Sequence, residues 1–247
     1  MNHRDFFGGE QASEGGINGV AVGIVTDNED PQDLGRVKLS FPWRDADDES
    51  YWARIATEMA GKQYGTYFLP EVEDEVLVAF ENGDIHRPFV IGSLWNGKQK
   101  PPQKNSDGNN DIREVRSRSD HKIAFDDADE GSITVQTSAG NEIVIDDSGG
   151  SETIRIRDEN NDNSITLDSG SGSVEVDANS EIALSADDIA IDGSNSVEIN
   201  SNGGIYLNSN GQMTFSSSGK FDLNSSGLMN VNATGPLQIK GAIIQLN

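Results

Sequence analysis

Residues 197–239 read VEINSNGGIYLNSNGQMTFSSSGKFDLNSSGLMNVNATGPLQI. Apolar residues recur as spaced pairs: Val197/Ile199, Ile205/Leu207, Met213/Phe215, Phe221/Leu223, Met229/Val231 and Leu237/Ile239, with eight residues from each pair to the next. Side chains alternate across a strand, so an apolar-x-apolar triplet is a three-residue strand with both apolar side chains on one face. The Ser, Asn and Gly residues between triplets turn the chain onto a new face. A strand this short, with one apolar face, is not stable alone. Single-chain solenoids use longer coils, although three octads together reach that length. The calcium-binding solenoid needs nine-residue G-G-x-G-x-D units, and neither that period nor that motif occurs. Three intertwined chains meet the requirement. Each octad then occupies one face of a triangular prism, and the next strand on that face comes from a sister chain.

The same pairing extends outward in both directions. Upstream it gives Ile123/Phe125, Ile133/Val135, Ile143/Ile145, Ile154/Ile156, Ile165/Leu167, Val174/Val176, Ile182/Leu184 and Ile189/Ile191; downstream it gives Ile244/Leu246. The steps are nine to eleven residues before Val174 and eight afterwards, apart from two of seven. Fifteen pairs stacked at strand spacing predict a stiff shaft on the order of 70 Å long.

Composition changes near residue 100. Trp43, Trp52 and Trp95 and all but one tyrosine lie before it. Short strand candidates there are Val20–Val25, Arg36–Phe41, Tyr51–Ala56, Val76–Phe80, Phe89–Ile91 and Ser93–Trp95, separated by turns such as Asn28-Glu29-Asp30-Pro31. Five or six strands without an amphipathic helix predict a small closed barrel, with the five-stranded OB fold leading. The predicted organisation is all-β: an extension over 1–17, an OB barrel over 18–96, a polar linker over 97–120 containing Pro101 and Pro102, and an intertwined trimeric β-helix over 121–247.

The net charge is −24, from 18 Lys+Arg against 42 Asp+Glu, and the chain has no cysteine. Thiolate chemistry and disulfides are therefore excluded. Such a surface repels nucleic acid and anionic lipid, so no nucleic acid partner is expected. The acidity reads either as a solvated, aggregation-resistant coat or as adaptation to a salt-rich habitat. No basic leader with an apolar run and no membrane-length apolar segment is present, so assembly in the cytoplasm is expected.

Within the barrel, Leu34-Gly35-Arg36-Val37-Lys38-Leu39-Ser40-Phe41-Pro42-Trp43, the stretch 50–80 and the stretch 81–102 resemble VgrG proteins and phage baseplate assembly protein V. The resemblance covers roughly residues 18–102, with Gly35, Arg36, Phe41, Pro42 and Trp43 as the barrel signature. It departs at Glu73, where the family usually has glycine, and at Ile85-His86, where a Pro-containing turn is commoner. The resemblance implies a structural, non-enzymatic central spike in the baseplate of a contractile phage tail or phage-tail-like particle. A barrel starting near residue 18 implies a separate trimeric hub protein at the tail tube, and the short linker leaves no room for a muramidase domain. Family members with blunt ends bind a conical PAAR-type tip, so Ile243, Ile244, Gln245, Leu246 and Asn247 are the expected tip contacts. The target cell envelope is the remaining implied partner.

Other chemistry finds little footing. His3, His86 and His121 are far apart and form no His-x-His pair, so no metal and no cofactor is expected. Asp126-Asp127-Ala128-Asp129-Glu130 lacks the ligand spacing of an EF-hand and reads as a solvated turn. Carboxylate pairs are uninformative in so acidic a chain, and no G-x-S-x-G elbow occurs. Trp43, Trp52, Tyr64, Tyr67 and Phe68 could stack bases on an OB barrel, but without a basic groove they read as barrel core and inter-barrel packing. The competing functional readings are a trimeric fibre or adhesin and a β-helical polysaccharide-degrading tail protein.

Overall fold

The computed structural model describes residues 16, 17, 19–45, 49–129, 131–150 and 152–245. The chain divides into two compact units, 1–183 and 184–247.

The first unit opens with strands β1 (Val20–Asp27), β2 (Lys38–Ser40), β3 (Arg54–Ile55), β4 (Ala60–Gly61), β5 (Tyr64–Gly65), β6 (Glu75–Phe80) and β7 (Pro88–Leu94). Five of these pair in the order β2-β1-β6-β7-β3, and β4 and β5 form a separate hairpin. All pairs in the larger sheet are antiparallel except β3 with β7, which is parallel. The two ends of the sheet meet. Val37 N–H donates to Ala53 O at 3.0 Å, Ala53 N–H to Val37 O at 2.7 Å, and Ser50 N–H to Leu39 O at 2.8 Å. These bonds close the sheet on itself and leave no free edge between β2 and β3. The result is the five-stranded OB barrel anticipated from sequence.

Alternation fills the barrel. Val25, Val37, Leu39, Phe41, Ala53, Val76, Val78, Phe80 and Val90 form the buried core. Gly23 lies among them because a Cβ there would meet Val78 Cγ2 at 3.1 Å and crowd Phe41 and Leu39. Each of the larger core side chains contributes about 1.5–3 kcal/mol of burial.

Strands β8 (Ile112–Arg116), β9 (Lys122–Asp126), β10 (Ser132–Gln136), β11 (Glu142–Asp146), β12 (Thr153–Arg157), β13 (Ser164–Asp168) and β14 (Ser173–Asp177) follow. They form one seven-stranded antiparallel meander in chain order. This corrects two expectations. Residues 97–120 are not linker throughout, because β8 belongs to the sheet. Over 121–177 the strands pair with neighbours from their own chain, so both edges of β9 to β13 are filled and no sister strand can intercalate. Arg118 Nη1 reaches Glu71 Oε1 at 2.9 Å, tying the β8–β9 turn to a barrel loop.

The second unit has no paired strand among its described residues. Its chain runs extended between bends at 194–195, 202–203, 210–211, 218–219, 226–227 and 234–235, which reproduces the eight-residue period.

Candidate functional site

In the meander, register converts the apolar pairs into two columns on one face. Phe125, Ile133, Ile145, Ile154, Leu167 and Val174 stand side by side in one, and Val115, Ile123, Val135, Ile143, Ile156, Ile165 and Val176 in the other. These thirteen side chains are 39–66% exposed, so nothing in the chain covers them. An apolar face of this extent left open to solvent marks an association surface.

The opposite face is largely polar and carries several ion pairs. Glu142, with a side chain 11% exposed, accepts a hydrogen bond from Arg155 Nη2 at 3.2 Å and has the Arg157 guanidinium beside it, with Nε at 3.4 Å. Glu114 accepts from Arg116 Nε at 2.9 Å, and that guanidinium holds its carboxyl below the usual range. The hairpin turns are fixed by side chains as well. Asp168 is lowered chiefly by the backbone N–H of Ser171, and Asp158 chiefly by the Asn161 side chain. One face of the sheet is thus finished for water while the other is open.

In residues 184–245 the octad pairs are equally uncovered. The first member is always the less exposed, as in Met213 at 45% against Phe215 at 65%. The corners are locked by a recurring side chain. Ser201, Ser209, Ser217 and Ser225 each accept the N–H of the glycine two residues on, Gly203, Gly211, Gly219 and Gly227, at 3.2 Å. This Ser-x-Gly corner was missed from sequence, although its eight-residue recurrence was there to be read.

The predicted residues separate by role. Gly35 has φ 65° and supports a turn, and Phe41 is buried against Phe80 at a ring distance of 5.7 Å. Arg36 forms a paired contact with Asp30, whose side chain is 3% exposed. Asp30 is a structural residue that sequence reasoning had treated only as a turn marker. Pro42 and Trp43 lie on the surface. Trp43, Tyr64, Tyr67 and Phe68 are 53–74% exposed in the single chain, which corrects the barrel-core part of their expected role and leaves the expectation of packing between barrels as it was. Trp52 is half-buried, with Lys38 Nζ 5.5 Å from its ring centre.

At the C-terminal end Ile243, Ile244 and Gln245 are exposed, while Leu246 and Asn247 lie outside the described residues. His86 packs edge-on against Tyr51, and His121 Nδ1 accepts the Ser138 N–H at 3.2 Å. His3 and Glu130 lie outside the described residues. Among the described residues no cluster of three His, Cys, Asp or Glu is placed to hold a metal. Among the described residues no helix is long and apolar enough to cross a membrane.

Comparison with known proteins bears on the barrel. Residues 21–95 match the family described as the type VI secretion system/phage-baseplate injector OB domain. The type VI secretion system spike protein VgrG3 of Vibrio cholerae is 40% identical over 73 residues, which are 28% of this chain and 7% of the relative. The actin cross-linking toxin VgrG1 of Vibrio cholerae is 38% identical over 72 residues, covering 28% and 7%. The spike protein VgrG1a of Pseudomonas aeruginosa is 36% identical over 72 residues, covering 28% and 11%. The chain therefore spans only a small part of the length of these relatives, and the shared part is the barrel. Residues 21–95 thus carry the type VI secretion system/phage-baseplate injector OB domain, and over that domain the chain is similar to VgrG proteins.

Proposed function

We propose that the chain is the central spike of a contractile phage tail or phage-tail-like injection particle, acting as a parallel homotrimer without enzymatic activity. One observation carries this reading: thirteen apolar side chains on one sheet face, and every described octad pair after them, stand uncovered in the single chain. Three copies turning these faces to a common axis would bury them together. The octads, whose backbone groups find no strand partner among the described residues of their own chain, would pair with sister chains into an intertwined β-helix.

The barrels would seat on a separate trimeric hub at the end of the tail tube. The end at Ile243–Asn247 would carry a PAAR-type tip. Sheath contraction would then drive the needle into a target cell envelope, with assembly in the cytoplasm beforehand. Stiffness follows from interlocked chains, which must separate together before the rod can fail.

Native mass measurement with negative-stain imaging tests the reading. A trimer seen as a narrow rod with a wider end is the expected result. A compact monomer would overturn it, and a trimer bearing a receptor-binding head in place of a tip would transfer it to a fibre.

A further inference from the structure

The open face of the meander contains one exception to its apolar character. Seven strands contribute two positions each to the columns, and of these fourteen, thirteen are apolar and the last is Arg113. Arg113 stands opposite Phe125 on β8, the first strand of the sheet. Its Nη1 donates to Asp127 Oδ2, while the Asp127 N–H donates to Asp111 O at 2.9 Å. Both side chains remain about half exposed, at 56% and 55%, so each has unused hydrogen-bonding capacity directed away from its partner.

A guanidinium on a face otherwise made of Ile, Val, Leu and Phe is costly to bury unless it is fully paired. The same cost makes a single polar position in an apolar seam a device for choosing register, because only one alignment satisfies it. We infer that Arg113 and Asp127 of three copies form a ring of six alternating charges at the β8 end of the trimer core. Each Arg113 reaches the Asp127 of a neighbouring copy in addition to its own. The ring holds the three sheets in parallel, level register. A slip of one strand, about 4.8 Å, sets Arg113 against the Ile123 and Phe125 row of its neighbours, so each charge keeps only its own-chain partner and its remaining hydrogen-bonding capacity is buried against apolar side chains. An antiparallel copy meets Val174 and Val176 instead. This inference rests on the trimer proposed above.

The test compares Arg113→Leu, Asp127→Leu and the double variant with the wild-type full-length chain. Native mass gives the assembly state, and unfolding rates are measured in urea at one elevated temperature. Each single change strands a charge in the core and is expected to speed unfolding by on the order of tenfold or more, or to prevent assembly. The double change removes both charges and is expected to return the rate to within about threefold of wild type. Single variants that assemble and unfold within about twofold of wild type would show an ordinary surface pair and overturn the ring. A double variant slower to assemble or faster to unfold than the singles would overturn it as well. A wild-type chain that is not trimeric removes the trimer and the ring together, whereas a wild-type trimer with silent single variants removes the ring alone.

Discussion

Asp30 and Arg36 meet through both carboxylate oxygens: Arg36 Nε donates to Oδ2 at 2.8 Å and Nη2 to Oδ1 at 2.7 Å. The same carboxylate accepts the backbone N–H groups of Gln32, Leu34 and Arg36 at 3.1, 3.0 and 3.3 Å. One side chain therefore organises the loop from β1 into the strand that closes the barrel at Val37. Planar, two-point pairing is what an arginine provides and a lysine does not, which gives the signature arginine a physical role.

This pair sets an acid limit on the barrel. The Arg36 guanidinium, with help from the loop N–H groups, holds the Asp30 carboxyl far below the ordinary carboxylate range. A group whose pKa falls on folding contributes fully above its unfolded value, near 4, and loses that contribution as pH drops below it. Thermal stability should therefore be flat above pH 5 and decline below pH 4. Asp30→Asn should lower the barrel melting temperature at pH 7 by about 10 °C and flatten the acid decline. Melting curves from pH 2 to pH 7 for both proteins decide it, and parallel curves would exclude the pair as the cause.

Glu73 explains one departure from the family pattern. It has φ 76°, a left-handed conformation that costs a side chain with Cβ, and the expected residue there is glycine. Its N–H donates to Val25 O at 2.8 Å, so the loop cannot relax without losing a bond. Glu73→Gly should stabilise the barrel by about 0.5–1 kcal/mol, the relieved strain exceeding the added freedom of the unfolded chain. Glu73→Ala should bring no gain, and chemical denaturation of the two variants separates strain from charge.

The apolar pairs made much of the fold legible. Ile133 against Ile145 and Ile154 against Leu167 are the register that the pattern requires. The pairing partner was misread because strand length alone was weighed. Steps of nine to eleven residues leave room for a reversal such as Thr137–Asn141, where the Thr137 N–H meets Asn141 O at 2.9 Å. Over the steps of eight, no strand of the same chain returns among the described residues. Strand β8 escaped notice because Arg113 occupies one of its two inward positions, leaving Val115 without an apolar partner at the usual spacing. Asp30 was hidden for another reason: a carboxylate before proline reads as a turn, and only folding reveals the arginine six residues on.

The two faces of the meander should respond in opposite ways to the same substitution. Ile145→Glu sets a carboxylate among Ile133, Ile143 and Ile154 on the open face, and three copies would bring three such charges together. Loss of the trimer is expected in native mass spectra. Thr134→Glu, on the polar face between Ala124 and Val144, should leave assembly intact and stability within about 0.5 kcal/mol. Equal tolerance of both changes would mean that the apolar face is not the assembly surface.

The final octad separates tip binding from trimer stability. Ile244 is the first member of the last apolar pair and is 50% exposed, like its counterparts Met213 and Met229, whereas Ile243 precedes the pair and is 80% exposed. In a trimer Ile244 would turn inward, and Ile243 would remain on the outside beside the end. Ile243→Asp should therefore weaken capture of a PAAR-type tip by tenfold or more, the order of one buried side chain lost from an interface, with no change in trimer melting. Ile244→Asp should impair melting and tip binding together. Titration of purified trimers with the tip protein, beside melting curves of the same samples, distinguishes the two. Equal tip affinity for wild type and Ile243→Asp would leave residues 243–247 without their proposed partner.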